Sequence, residues 1–216
     1  MKYLRKCGKR DNIGTNYVTL SPIAIVSPSA EQQMEIVSSS ANDTDGGSGA
    51  QKVTIEYLDS NFDEHSEEIT MNGTTAVTTK ATNIYRINRM YVSAGATADG
   101  NITLRDVGGG GNDRYYIEAG DSEDKIAYYT IPKNYNGYIW AFGVGAESDN
   151  ITFSLCVRSG NIRTIIDIKK ISNNYEKSNV VGVENFNPGD SVFIMAKGLS
   201  GGGNAVGCFE LRLLSW

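Results

Sequence analysis

The sequence predicts an all-β protein, a jelly-roll-like antiparallel sandwich with an extended N-terminal arm. Three observations carry this reading. Glycine is abundant at 24 residues and proline scarce at 4, in a background of Thr, Ser, Asn, Val, Ile and Tyr. Short runs alternate apolar and polar residues with a period of two, at close spacing. No stretch shows sustained helical periodicity between good caps. β-Branched and aromatic side chains pack well on a pleated surface, and glycine serves the turns between short strands. At 216 residues the chain holds one large or two small domains. With no fixed-period repeat and no boundary signal after residue 34, the expected organisation is an arm over 1–33 and a single sandwich over 34–216.

Residues 1–33 are irregular, with Pro22 and Pro28 flanking the short apolar run PIAIV, and are expected to lie on the rest of the chain or on a partner. Next come two strands around a Gly/Ser/Asp loop. In the second, Val53, Ile55 and Tyr57 alternate with Lys52, Thr54 and Glu56, the pattern of a half-buried strand. Ile69 and Met71 share a face before Asn72-Gly73, a dipeptide that tolerates the positive φ of a tight hairpin turn. The run IYRINRMYV over 84–92 has no clean polar face, so it is either covered on both sides or interrupted by a bulge.

NITLRD then precedes a four-glycine loop, and IAYYTI ends at Pro132. In YIWAFGV, Tyr138, Trp140, Phe142 and Val144 form one bulky face, expected to fill the core or its rim together with Tyr128. ITFSLCVR places Ile151, Phe153, Leu155 and Val157 inward, and IRTIIDIKK is expected to do likewise with Ile162, Thr164, Ile166 and Ile168. NYEKSNVVGVENF reads as a loop, and SVFIMAK and AVGCFELRLLSW close the chain. The count is about eleven short strands, which suits a sandwich or jelly roll.

Charge is uneven. The net charge is −5, yet Lys2, Arg5, Lys6, Lys9 and Arg10 crowd the first ten residues without an acid. The remainder carries 15 bases against 25 acids, so phosphate backbones should be repelled and no nucleic-acid partner is expected for the body. The basic stretch is either a solvated terminus or a contact arm. Cys7, Cys156 and Cys208 are odd in number and widely spaced, giving no disulfide framework and no metal-ligand pair. Cys156 and Cys208 are expected to be small buried hydrophobes, which suits synthesis in a reducing cytoplasm. No apolar run succeeds the basic N-terminus as a signal peptide requires, and none approaches the roughly 20 residues that span a bilayer, so no membrane partner is expected.

Catalytic signatures are thin. His65 is the only histidine, and no G-x-S-x-G or other nucleophile motif accompanies it. One imidazole and distant thiols do not make a zinc site. DTDGG over 43–47 resembles the start of a calcium loop, but Thr54 stands where the closing acid belongs, and turn chemistry explains Asp43 and Asp45. GDSEDK, with Asp121, Glu123 and Asp124, is a solvated acidic turn, and GGGGNDR lacks the Gly-Lys-Ser/Thr ending of a phosphate loop. No enzyme, cofactor or metal is expected. Twelve tyrosines on this frame suit contact surfaces, and Arg86 and Arg89 beside Tyr85 and Tyr91 suggest a subunit interface. Together with Lys2, Arg5, Lys6, Lys9 and Arg10 they form the candidate interface set.

Three ordered segments carry a resemblance: IVSSSANDTDGGSGAQKVTIEYLDSNFDEHSEEITMNGTTAVTT, then IYRINRMYVSAGATADGNITL, then IAYYTIPKNYNGYIWAFGV. Over roughly residues 36–145 the set resembles a family of tailed-bacteriophage virion proteins. The resemblance implies a head-associated structural component without catalytic residues. The implied protein decorates or cements the outer capsid surface, partners the major capsid protein, and is a homo-oligomer, expected to be a trimer, made in the host cytoplasm. Two alternatives stand beside it: a single jelly-roll major capsid protein, and a receptor- or glycan-binding module of a tail or spike.

Overall fold

A computed structural model describes residues 1–109, 111–147, 150–171, 175–179, 185–199 and 202–215. The described residues hold seventeen strands and no helix. In chain order they are β1 (Lys2–Arg10), β2 (Val18–Thr19), β3 (Met34–Ser38), β4 (Ala50–Leu58), β5 (Glu64–Thr70), β6 (Val77–Thr78), β7 (Arg86–Gly95), β8 (Ile102–Asp106) and β9 (Asp113–Ile117). The others are β10 (Tyr128–Thr130), β11 (Tyr135–Ala146), β12 (Ile151–Ser159), β13 (Ile162–Ile171), β14 (Tyr175–Asn179), β15 (Asn185–Phe186), β16 (Ser191–Gly198) and β17 (Ala205–Ser215). Every strand pair among them is antiparallel.

The chain divides into two units, and not at residue 34. One unit joins Met1–Pro22 to Lys125–Trp216, and the other is the segment Ile23–Asp124 between them. The expected arm is divided between the two units, and its first third is strand. Lys2–Arg10 is β1, paired residue for residue with β17 from Lys2↔Leu213 to Arg10↔Ala205. Its partner lies some two hundred residues away in sequence, so no local pattern announces the pairing.

The discontinuous unit has two sheets, ordered β1-β17-β11-β14 and β10-β16-β12-β13, with β15 also on β11 and β2 on β16. Counting its eight principal strands along the chain, the sheets run first-eighth-third-sixth and second-seventh-fourth-fifth. That is the two-Greek-key order of a jelly roll. The segment Ile23–Asp124 is inserted between the first and second of these strands. Ile151, Phe153, Leu155 and Val157 point inward as their alternation requires, against Phe142, Val144, Ile194, Phe209 and Leu211. Gly8 on β1 permits the tightest approach in this core: a Cβ there would stand 2.1 Å from the Leu20 carbonyl oxygen and 2.5 Å from the Ala127 nitrogen.

Two bulges break the expected alternation. In β11 the register slips between Ile139 and Ala141, so Trp140 bulges out while Phe142 and Val144 stay in the core. In β13 the slip falls opposite Leu155/Cys156 and makes Ile166 the extra residue. Ile166 packs against the core, whereas Ile162, Thr164 and Ile168 are exposed, contrary to the even alternation read from the sequence. A bulge sets two residues opposite one, so every later residue of the strand faces the other way. Of NYEKSNVVGVENF, residues 175–179 and 185–186 are strand rather than loop, and the rest lies outside the described residues.

The cysteine expectation also needs correction. Cys7 and Cys208 are directly opposed in the β1–β17 ladder and form a disulfide, closing a sequence separation of 201. Cys156 is free and buried, as expected.

The inserted unit has a four-stranded sheet, β6-β3-β8-β9, and a three-stranded sheet, β5-β4-β7. Val53, Ile55, Tyr57, Ile69 and Met71 are buried, as their alternation requires. Asn72-Gly73 does not join a hairpin. β5 pairs with β4 while β6 pairs with β3, so the turn carries the chain from one sheet to the other. Gly73 alone takes the left-handed conformation, at φ 57°, and its N–H donates to the Asp43 carbonyl. Carboxylates organise the loops here. Asp43 accepts from Ser38 Oγ and from the backbone N–H groups of Ala50 (2.8 Å), Asp99 (2.8 Å) and Gly100 (2.9 Å). Asp106 holds Arg114 through two bonds of 2.7 and 2.8 Å, and Glu35 takes Arg105 Nε at 2.7 Å together with the Gly108 N–H of the four-glycine loop.

Candidate functional site

The five bases of the expected arm share a strand but not a role. Lys6 opposes Phe209 on the inner face and is buried. Arg10 donates through Nη1 to the carbonyls of Ser21 (3.0 Å) and Pro22 (3.1 Å), so it ties its own loop down. Lys2 lies 4.7 Å from the centre of the Tyr135 ring. Arg5 is exposed and reaches the Cys208 sulfur at 3.5 Å, and Lys9 is half-buried.

The β7 candidates are engaged within the chain. Arg86 stacks 3.6 Å above the Tyr85 ring and donates to the Pro28 carbonyl at 3.0 Å. Arg89 lies 4.6 Å from the Tyr91 ring and bonds Glu123 at 3.1 Å. The missing polar face of this strand has two causes. A register shift between Glu56 and Tyr57 makes Asn88 an extra residue, the bulge that the sequence left open. Residues 122–124 line its second edge, with Val92 N–H donating to Ser122 and Asp124 N–H to Met90. The second edge of the strand is thus taken by the chain's own acidic turn.

Sequence reasoning missed two exposed features, both set by the bulges. The first is on the outer face of the β1-β17-β11 sheet. Tyr3, Arg212 and Tyr138 stand in one cross-strand row, and bulged Trp140 sits beside them. The Arg212 guanidinium lies 3.5 Å from the Trp140 ring centre and 5.3 Å from that of Tyr3. Trp140 is 48% exposed and Tyr3 63%. Trp140 is therefore not the core residue that the alternation suggested, although Tyr128 is buried as expected. The second feature is on β13, the edge of its sheet among the described residues. Ile165 and Ile168 oppose Cys156 and Ser154 on one face and are 46% and 55% exposed, with Ile162 at the strand's start 70% exposed.

The remaining chemical candidates are structural. His65 Nε2 lies 3.0 Å from Asp59 Oδ2 and the ring stacks on Tyr57. Burial pushes the Asp59 carboxyl up, but hydrogen bonds from His65, Asp63 and Asn61 outweigh it and hold the group below its usual value. Asp43 behaves alike: burial opposes ionisation, and the bonds from Ser38, Asp99, Gly100 and Ala50 prevail. Arg114 chiefly lowers Asp106, and the Gly108 N–H chiefly lowers Glu35, with Arg105 adding to it. A carboxylate that accepts several donors favours its charged form. Asp124 is buried and accepts from Met90 N–H, so the acidic turn is not simply solvated. Among the described residues, no cluster of three His, Cys, Asp or Glu side chains could hold a metal, and no helix is long and apolar enough to cross a membrane.

No family model and no curated protein matches the chain. Among solved structures it is similar to the STIV MCP at 8% identity and TM-score 0.27, covering 100% of this chain and 98% of that one. It is also similar to VP2 of infectious bursal disease virus in a subviral particle, at 10% identity and TM-score 0.24, covering 99% and 72%. Likenesses at this level say nothing about what the chain does, and the jelly-roll assignment rests on strand order alone.

Proposed function

We propose that this chain is a non-enzymatic structural protein of a virus particle. In this reading it is a capsid decoration or cement subunit, a homotrimer seated on the outer surface of a shell built by a major capsid protein. The carrying observation is the ten-residue strand β13, an edge of its sheet among the described residues, with Ile162, Ile165 and Ile168 exposed. An edge strand is a template for another chain, and covering an isoleucine fully is worth about 1.5–3 kcal/mol. In this reading Lys2, Arg5 and Lys9 on β1, and separately Arg89 and Tyr91 on β7, are further candidate contacts. Two further observations support the reading. The segments that resemble phage virion proteins run from the inserted unit into the jelly roll. The Cys7–Cys208 disulfide suits an extracellular particle, because disulfides persist on virion surfaces and are rare in the cytosol; it would close after synthesis in the host cytoplasm.

A second reading, a subunit of the shell itself, is favoured by the distribution of charge. The jelly-roll unit carries 14 Lys and Arg against 8 Asp and Glu, a balance of +6, and the inserted unit 6 against 17, a balance of −11. The acidity that argued against a genome-facing surface belongs wholly to the insertion. Stripping the protein from purified particles separates the two readings. A cement subunit leaves intact heads that burst at lower temperature, since binding to the assembled lattice adds stability through linkage. A shell subunit leaves no particle. Absence of the chain from virions would refute both.

A further inference from the structure

The outer face of the β1-β17-β11 sheet holds a cation, Arg212, that no carboxylate pairs with among the described residues. Arg212 lies against Trp140 and near Tyr3, and its Nε is buried without a hydrogen-bond partner. A planar guanidinium fixed against aromatic rings is pre-organised to take a carboxylate through two parallel bonds. Trp, Tyr and Arg are also the side chains that dominate binding energy at the centres of protein interfaces. The setting is the face of a sheet, crossed by three strands. Small-molecule sites are typically concave, whereas protein interfaces are broad faces. One unpaired guanidinium, in a chain of net charge −5, also fits a protein carboxylate better than a polyanion.

The complementary surface exists within the same sequence. The inserted unit, at −11, is the strong counterpart of a jelly roll at +6. We propose that the face around Tyr3, Trp140 and Arg212 docks the acidic inserted unit of a second copy of this chain. A carboxylate of that copy closes on Arg212, and the two rings are the apolar anchors. Such a contact joins two different surfaces, so it is made twice in a reciprocal two-fold dimer or runs head-to-tail and closes into a ring if its rotation permits, three copies being one solution. The contact stands apart from the particle assignment, because it needs only the chain itself.

Sedimentation velocity of the full oxidised chain, over a range of protein and salt concentrations, tests it. The expected result is association at low salt that weakens steadily as salt rises, with Arg212→Glu and Trp140→Ala each weakening it at least tenfold. Arg212→Lys, which keeps the charge but not the planar stack, falls between. Near-UV circular dichroism and retention of the Cys7–Cys208 bond show that the variants are folded. Carbodiimide coupling of mixed ¹⁴N and ¹⁵N protein should link Lys2 or Lys9 of one copy to carboxylates in residues 23–124 of another. A chain that stays monomeric at every salt, association untouched by both variants, or cross-links confined to jelly roll on jelly roll would each overturn the proposal. So would quenching of Trp140 by glucuronate or oligo(dT) in a monomeric chain, which would mark a saccharide or nucleic-acid face. Loss of self-association with retained presence in virions would sink this inference alone, and the converse would sink only the particle reading.

Discussion

The jelly roll and its insertion solve the same problem, holding antiparallel sheets together, with different chemistry. The jelly roll relies on a continuous apolar core reaching from Ile13 to Leu213, with one covalent tie between β1 and β17. The inserted unit also buries apolar residues, but its loops are fixed by carboxylates: Asp43 under three loop amides, Asp59 in its turn, Asp106 on Arg114, and Glu35 on Arg105 and Gly108. Where apolar area does the holding, stability is indifferent to protons. Where ionised acceptors do it, stability is tied to pH. The two units of one chain should therefore fail under different insults.

Acid should separate them most. Asp43, Asp59, Asp106 and Glu35 all have native values below their ordinary ones, and all lie in the inserted unit. Between the native and unfolded values the unfolded state binds more protons, so stability rises with pH there. The contribution is complete above the ordinary carboxylate range of about 4 and is lost as pH falls below it toward the depressed native values. Calorimetry at pH 7 and pH 3 should show the inserted unit's transition collapsing while that of the jelly roll shifts little. A joint collapse would break the contrast.

Asp43→Ala should come next. It strands the buried N–H groups of Ala50 and Gly100 and the part-buried one of Asp99, and as each buried unsatisfied donor costs about 1–3 kcal/mol, a loss of about 2–6 kcal/mol confined to the inserted unit is expected. Hydrogen exchange resolved by segment would check it, with protection falling over 34–117 and held over 151–157. Smallest is removal of the disulfide. Cys208→Ser should destabilise the jelly roll by about 2–4 kcal/mol, in the typical range for a cross-link, and leave the inserted unit's exchange unchanged. An equal loss in both units would show that they unfold as one.

Strand content was legible where a strand carried its own periodicity. Val53–Tyr57 and Ile151–Val157 lie as their alternation dictates, and the all-β class rests on many such runs. Three things were not legible, each for a physical reason. β1 looked like an arm because its pairing partner is remote in sequence, and its bases drew more attention than the Leu4 and Gly8 that face the core. The bulges at Trp140 and Ile166 reverse the facing of their strands, and a bulge depends on the partner's register as well as the local pattern. These are the residues that create both exposed surfaces, so the candidate contacts on β11 and β13 were hidden with them. Charge was misread by averaging: a whole-chain balance conceals an acidic insertion within a basic frame.

The opposition of Cys7 and Cys208 has a consequence for biosynthesis. β1 leaves the ribosome with its ladder partner still 201 residues from being made, a delay of about 10–40 s at ordinary elongation rates. During that interval the contiguous inserted unit can fold completely, while the nascent β1 has no strand to pair with and must wait or be shielded. The jelly roll closes only when β17 emerges, so the eighth of its principal strands is the one that admits the first.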